Sequence, residues 1–163
     1  MRKAFTLIEI LTVVTIIVIL TSLTVVSFGP GRQTLALIRS AHKVAQDIRK
    51  VSEMALSAKE IQGAVPPKYG LYFELNSTSY IIFADNNGNN DYESGEEIEE
   101  IPLESKIKIL ELSTNPLVIT FEPPDPLIYV SAGDRARITL SSEANPSKII
   151  NIIVNKLGLV DIE

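Results

Sequence analysis

The chain has 163 residues, a formal net charge of −5 at pH 7 and no cysteine. Without cysteine, neither a disulfide nor a thiolate metal site can form. Residues 1–60 carry eight Lys and Arg against four Asp and Glu, whereas residues 61–163 carry seven against sixteen. The acidic larger part lacks the basic patch of a nucleic-acid binder. With a single histidine and neither a phosphate-binding loop nor a zinc signature, we do not expect an enzyme.

Residues 5–28 form an apolar run in which Glu9 is the only charged residue. As a helix rising 1.5 Å per residue this run is about 36 Å long, enough to cross a hydrocarbon core of about 30 Å. Arg2 and Lys3 precede it, and positive flanks stay in the cytoplasm. We therefore expect a single-pass inner-membrane segment with a cytoplasmic N-terminus and an extracytoplasmic domain.

Glu9 is the anomaly of this run. A carboxylate among apolar side chains is energetically costly in lipid and indicates a function and a partner. The alternative is an ordinary signal-anchor that carries an accidental Glu near the headgroups.

The segment from Lys3 to Glu9, Lys-Ala-Phe-Thr-Leu-Ile-Glu, resembles the signal of type IV prepilins and type II secretion pseudopilins. The resemblance implies that a prepilin peptidase removes residues 1–4 by cleaving between Ala4 and Phe5, and that Phe5 is then N-methylated. It also implies that Glu9 acts in assembly. Ala4 stands where the family usually has Gly, another small residue.

The chemistry of Glu9 supports the same role independently. Cleavage before Phe5 would expose an α-amino group that is mostly cationic at neutral pH. In a stack of parallel, staggered helices, this amine of one subunit can lie beside Glu9 of the next. The expected partners are other pilin or pseudopilin subunits, the prepilin peptidase and an inner-membrane assembly platform.

The next segment, from Arg32 to about Glu60, has the three-to-four-residue apolar spacing of an amphipathic helix. We expect it to continue the first segment as one spine, bent or loosened at Gly29-Pro30-Gly31. Its apolar stripe is predicted to face a core and consists of Leu35, Ile38, Ala41, Ala45, Ile48, Val51, Ala55 and Ala58.

From Lys68 onward the apolar period changes to two, which is typical of half-buried strands. The last two strands are expected to form a hairpin joined at Asn155-Lys156, and Lys148 and Lys156 to keep a strand edge soluble. The predicted strands are 68–75, 80–84, 97–101, 107–112, 117–121, 127–130, 136–140, 149–154 and 157–162. Short strands without intervening helices indicate an antiparallel β domain.

The expected fold class is therefore α+β: a long N-terminal helical spine, with a membrane half and an amphipathic half, packed on a C-terminal antiparallel β domain, as in pilins. The expected organisation is a leader at 1–4, a transmembrane and assembly helix at 5–28, an amphipathic helix at 29–61 and a globular β domain at 62–163.

The segment from Tyr80 to Glu97 and the late hairpin are similar to the pseudopilin H group, the GspH/FimT type. DNA binding by FimT-like proteins is associated with basic residues near the C-terminus. This chain ends Leu-Val-Asp-Ile-Glu, which weakens a DNA-uptake interpretation.

The loop from 85 to 97 has oxygen-bearing side chains at offsets one, three, five, seven and twelve, close to a calcium-loop pattern. Asn90 occupies the sixth offset, where such loops need Gly. A solvated turn would use the same Asn, Asp and Gly residues and is the favoured interpretation. The candidate calcium ligands are Asp85, Asn87, Asn89, Asp91 and Glu96.

The expected function is structural: a minor pseudopilin processed by prepilin peptidase and assembled into a type II secretion pseudopilus or a related type IV filament. One alternative is a minor pilin of a type IV or competence pilus. The other is a signal-anchored protein that binds calcium or another ligand.

Overall fold

The structure is a computed structural model that describes residues 6–124 and 127–163, with only the backbone described between 23 and 30. Its first element is the 50-residue helix α1, Leu7–Leu56, which begins after the N-cap residue Thr6 and ends at the C-cap residue Ser57. The amphipathic segment, expected to extend to about Glu60, therefore ends four residues earlier.

The expected fold class, a pilin-like domain on a helical spine whose first half spans a membrane, is wrong. Over the described residues, no helix is both long and apolar enough to cross a membrane.

Nine strands follow the helix within the described residues, and together they confirm the strand predictions. Every pairing between them is antiparallel. Their bounds are β1 Lys68–Phe73, β2 Ser79–Asp85, β3 Glu97–Pro102, β4 Ile107–Leu112, β5 Leu117–Glu122, β6 Leu127–Val130, β7 Arg135–Ser142, β8 Asn145–Asn155 and β9 Val160–Ile162.

The strands form two sheets. One has five strands in the order β3-β2-β1-β5-β6, and the other has four in the order β4-β7-β8-β9. The second half of α1 contacts β1 and β5 of the first sheet and all four strands of the second. One hydrophobic core therefore lies between the helix and both sheets.

The buried stripe of α1 differs in part from the predicted one. Leu35 and Ile38 are exposed, and Ala58 lies beyond the helix end. Apolar side chains occur along two neighbouring lines of this helix, so sequence spacing alone could not select the line that meets the sheets. The side chains of α1 that the core buries are Leu37, Ala41, Val44, Ala45, Ile48, Val51, Met54 and Ala55.

The last hairpin forms, but its connection is longer than the predicted two residues. β9 begins only at Val160, so residues 156–159 make the turn. The side-chain oxygen of Asn155 accepts hydrogen bonds from the amides of Leu157 and Leu159, at 2.9 and 3.0 Å. Gly158 adopts a positive φ of 77°, which glycine tolerates. These hydrogen bonds stabilise the turn, so β8 ends before Leu157.

Candidate assembly site at the start of the helix

Glu9 lies in the first turn of α1, where Thr6 and Glu9 cap each other. The Thr6 amide and hydroxyl donate to Glu9 Oε2 at 3.0 and 2.9 Å, and the Glu9 amide donates to Thr6 Oγ1 at 3.3 Å. This is a capping box, in which two side chains satisfy amides that have no partner inside the helix. The carboxylate also lies at the positive end of the helix dipole, where negative charge is favourable.

The capping role of Glu9 is a function that the sequence interpretation missed. Its signal was available, because Thr6-Leu-Ile-Glu9 has the spacing of a capping box ahead of an apolar run. The cap uses only Oε2, and Oε1 has no hydrogen-bond partner among the described residues. The expected cleavage position, Ala4 and Phe5, lies outside the described residues.

The helix that follows Glu9 is uncovered on every side. Each large apolar residue between positions 7 and 20 is more than half exposed. A helix that is apolar all round is normally found buried, and exposed patches of this size mark interaction sites. One partner could cover only one face, so this segment fits surroundings made of several neighbours.

The hydroxyl groups of this segment are satisfied within the helix itself. Thr12, Thr15 and Thr21 donate to the carbonyl oxygens four residues earlier, at 2.7, 2.8 and 2.7 Å. Hydroxyls bonded in this way need no water. The surface of the helix is therefore suited to apolar surroundings despite its threonines.

The second candidate site, the loop after β2, is organised around Asp85. The Asp85 side chain is fully buried, and its carboxylate accepts three backbone amides: Gly88 at 2.6 Å, Asn89 at 3.2 Å and Asn90 at 2.9 Å. A carboxylate with three amide donors is well compensated for its burial. Asp85 thus holds the loop in its conformation.

The other predicted calcium ligands also bind backbone amides of the loop. Glu96 closes the loop by accepting the amides of Asn86 and Glu93, at 2.9 and 3.2 Å. Asn87 and Asn89 each accept the amide two residues later, and Asp91 accepts the amide of Tyr92. Asp85 and Glu96 are therefore brought together at the base of the loop as hydrogen-bond acceptors.

Residue Asn90, at the position where a calcium loop needs Gly, ties the loop to the sheet. It has a positive φ of 65°, and its Oδ1 accepts Lys68 Nζ at 2.8 Å and Thr120 Oγ1 at 2.9 Å. Lys68 Nζ also donates to the Gly88 carbonyl at 2.9 Å. Sequence reasoning missed Lys68 and Thr120, because both contacts join positions far apart in the chain and no local pattern marks them.

At the end of the loop, the side chains of Tyr92 and Glu97 form a hydrogen-bonded pair. The Tyr92 hydroxyl donates to the Glu97 carboxylate. This hydrogen bond raises the pKa of Tyr92 to about 12 and lowers the pKa of Glu97. The pair stabilises the ionised form of Glu97 and the neutral form of Tyr92.

No group of three or more His, Cys, Asp or Glu side chains in the described part of the chain is arranged to hold a metal ion. Calcium binding by Asp85, Asn87, Asn89, Asp91 and Glu96 stays an untested prediction, and the observed contacts are those of a hydrogen-bonded turn.

Neither a protein-family model, nor a curated protein, nor a solved structure matches this chain.

Proposed function

We propose that this chain is a non-enzymatic structural subunit, a minor pseudopilin-like protein that assembles through its N-terminal helix. Its place would be a type II secretion pseudopilus or a related type IV filament. In this proposal a prepilin peptidase cleaves between Ala4 and Phe5, and Glu9 pairs with the new amine of a neighbouring subunit.

The observation that carries the proposal is the exposure of the apolar helix on all its faces between residues 7 and 20. Burying one Val, Leu or Ile side chain contributes about 1.5–3 kcal/mol. A bundle of like helices would bury many of them at once, on every side. A single partner or a small ligand would leave most of this surface in water.

The geometry at Glu9 supports the proposed charge pairing. Oε1 has no partner among the described residues, while Oε2 accepts two bonds from Thr6. A cationic amine could therefore bind Oε1 without displacing the cap. Hydrogen bonds between charged groups are worth about 1.5–3 kcal/mol, more than neutral ones.

Mass spectrometry of the N-terminus tests the proposal. The full chain is expressed in cells with an active prepilin peptidase and, as a control, with an inactive one. We expect a chain that begins at methylated Phe5 in the first case and an intact chain in the second. An uncleaved chain that still bears Met1 and functions as a monomer would overturn the proposal.

Substitution of Glu9 tests the assembly step separately. Glu9→Ala should be processed normally but should enter the filament poorly, as measured by cross-linking between subunits in cells. Incorporation of Glu9→Ala at the wild-type level would remove the role assigned to this carboxylate.

A further inference from the structure

A notch lies between α1 and the β7–β8 hairpin, on the helix just beyond residue 31. Its volume is about 370 Å³, and its polar lining comes from Gln33 and Thr34 on the helix and from Ser142, Asn145 and Lys148 on the hairpin. Binding sites for small groups are typically clefts of about 300 Å³ or more. The notch therefore has room for one side chain or a small ligand.

An irregularity in the hairpin places Lys148 at the notch. Ser141 pairs with Ile149, but the next residue, Ser142, pairs with Asn145, so residues 146–148 lie outside the ladder. Such a bulge redirects side chains away from the regular pleat. Lys148 Nζ reaches back to the helix and donates to Thr34 Oγ1 at 2.7 Å.

The wall of the notch includes a buried polar group. Ser142 continues the inward-facing series of Ala136, Ile138 and Leu140, is 1% exposed and has a buried hydroxyl without a hydrogen-bond partner among the described residues. Leaving a buried hydroxyl unpaired is destabilising. A ligand atom that accepts from Ser142 would remove this cost.

The charge of the notch defines the class of ligand. Lys148 is its only charged lining residue among those described, and no carboxylate lines it. An ammonium has three N–H donors, and Lys148 uses one of them on Thr34. A carboxylate would accept both from Lys148 and from Ser142.

We propose that this notch binds a carboxylate, supplied in the assembly by an Asp or Glu side chain of a second copy of the chain. This source rests on the proposed function. Two observations favour it: residues 61–163 carry sixteen acidic residues against seven basic ones, and the notch adjoins the helix whose apolar segment would pack against neighbouring copies. A neighbour held by that helix would present its acidic domain close to Lys148.

Binding of acetate to the full chain in detergent micelles tests the site itself. Sodium acetate should shift the amide NMR signals of residues 33–34, 142–145 and 147–148 in a saturable way, and sodium chloride at equal ionic strength should not. Lys148→Met should abolish the response, and Lys148→Arg should retain it. Ser142→Ala should weaken binding by roughly 2- to 10-fold, the worth of one hydrogen bond.

Lys156→Met is the matched control, because it removes the same charge from a lysine that pairs with Asp134 outside the notch. Its acetate response should equal that of the wild type. Equal shifts with chloride, or a full acetate response in Lys148→Met, would overturn the carboxylate site.

Carbodiimide cross-linking, which joins an amine directly to a carboxylate, tests the source. In assembled wild-type protein made from isotopically mixed copies, we expect intermolecular products at Lys148. Assemblies that react at other lysines but not at Lys148 would overturn the second-copy source.

In Glu9→Ala, failed assembly should remove these products while the acetate response persists. Wild-type protein that does not assemble at all but still binds acetate would instead contradict the proposed function, and with it the second-copy source.

Discussion

The hydroxyl of Tyr80 on β2 donates a hydrogen bond to the carboxylate of Asp47 on α1, across 33 residues of sequence. Tyr80 is almost fully buried, and its ring stacks on Phe73 with centroids 5.3 Å apart. The contact helps to fix how the helix sits on the five-stranded sheet, because it joins one polar position of α1 to β2, the strand beside the edge strand β3.

Tyr80→Phe should lower the free energy of unfolding by about 1–3 kcal/mol, because it leaves the Asp47 carboxylate without its buried donor. Urea unfolding of the full chain in detergent, followed by circular dichroism, measures this change. Tyr129→Phe is the control, since Tyr129 is exposed and its hydroxyl has no partner among the described residues. Equal stability of Tyr80→Phe and the wild type would show that the hydrogen bond contributes nothing.

The same contact predicts a loss of stability at alkaline pH. Burial, together with the hydrogen bond to Asp47, raises the pKa of Tyr80 above its ordinary value of 10.0. Because the folded state holds this proton more tightly, the stabilisation is complete below about pH 10 and is lost as the pH rises further. The stability difference between wild type and Tyr80→Phe should therefore stay constant from pH 8 to about pH 10 and shrink above it. A constant difference would contradict the predicted titration.

Glu9→Gln separates the capping role of Glu9 from its charge. Glutamine can complete a capping box but carries no charge, so the helix start should be preserved while assembly is lost. We expect the concentration needed for assembly to rise roughly 10- to 100-fold, the worth of a charged hydrogen bond. Light scattering measures assembly, and amide exchange of residues 8–10 measures the cap.

The complementary variant is Thr6→Val, which removes the capping hydroxyl and keeps the charge. It should fray the first turn at a cost of about 1 kcal/mol and still assemble. If Glu9→Gln assembles like the wild type while Thr6→Val does not, Glu9 acts only as a cap.

The sequence predicts the elements of this fold better than their contacts. Apolar runs of strand length, separated by turn residues, located all nine strands. The helical spacing of apolar residues predicted that Leu35 and Ile38 face the core, but both are exposed. Two neighbouring lines of α1 carry apolar residues, and sequence spacing cannot tell which of them packs against the sheets. The contact of Lys68 with Asn90 escaped prediction because it depends on strand pairing.

Asp85→Asn should loosen the loop after β2. Asparagine has one acceptor oxygen where Asp85 has two, so at least one of the three loop amides would lose a good partner. An unpaired buried amide costs about 1–3 kcal/mol, measurable by urea unfolding. Asp91→Asn is the control, because Asp91 is exposed and, among the described residues, accepts only the Tyr92 amide. A similar loss in both variants would contradict this role.

Calcium should not change the stability of this loop, because the carboxylates of Asp85 and Glu96 already accept backbone amides of the loop. Thermal unfolding with calcium or with a chelator checks this expectation. A saturable rise in the midpoint with calcium, lost in Asp85→Asn, would instead support the ligand set of the calcium interpretation.

Gly70→Ala should be among the most destabilising small substitutions in the sheets. A Cβ built at Gly70 lies 2.3 Å from ring atoms of Phe83, whose side chain is fully buried. A buried ring cannot move aside freely, so overpacking should cost about 1–3 kcal/mol or more. Gly31→Ala is the matched control: among the described residues nothing lies within 4 Å of a Cβ built there, and alanine favours a helix by about 0.5–1 kcal/mol. Urea unfolding should therefore give changes of opposite sign, and a stable Gly70→Ala variant would show that β1 and β2 can separate locally.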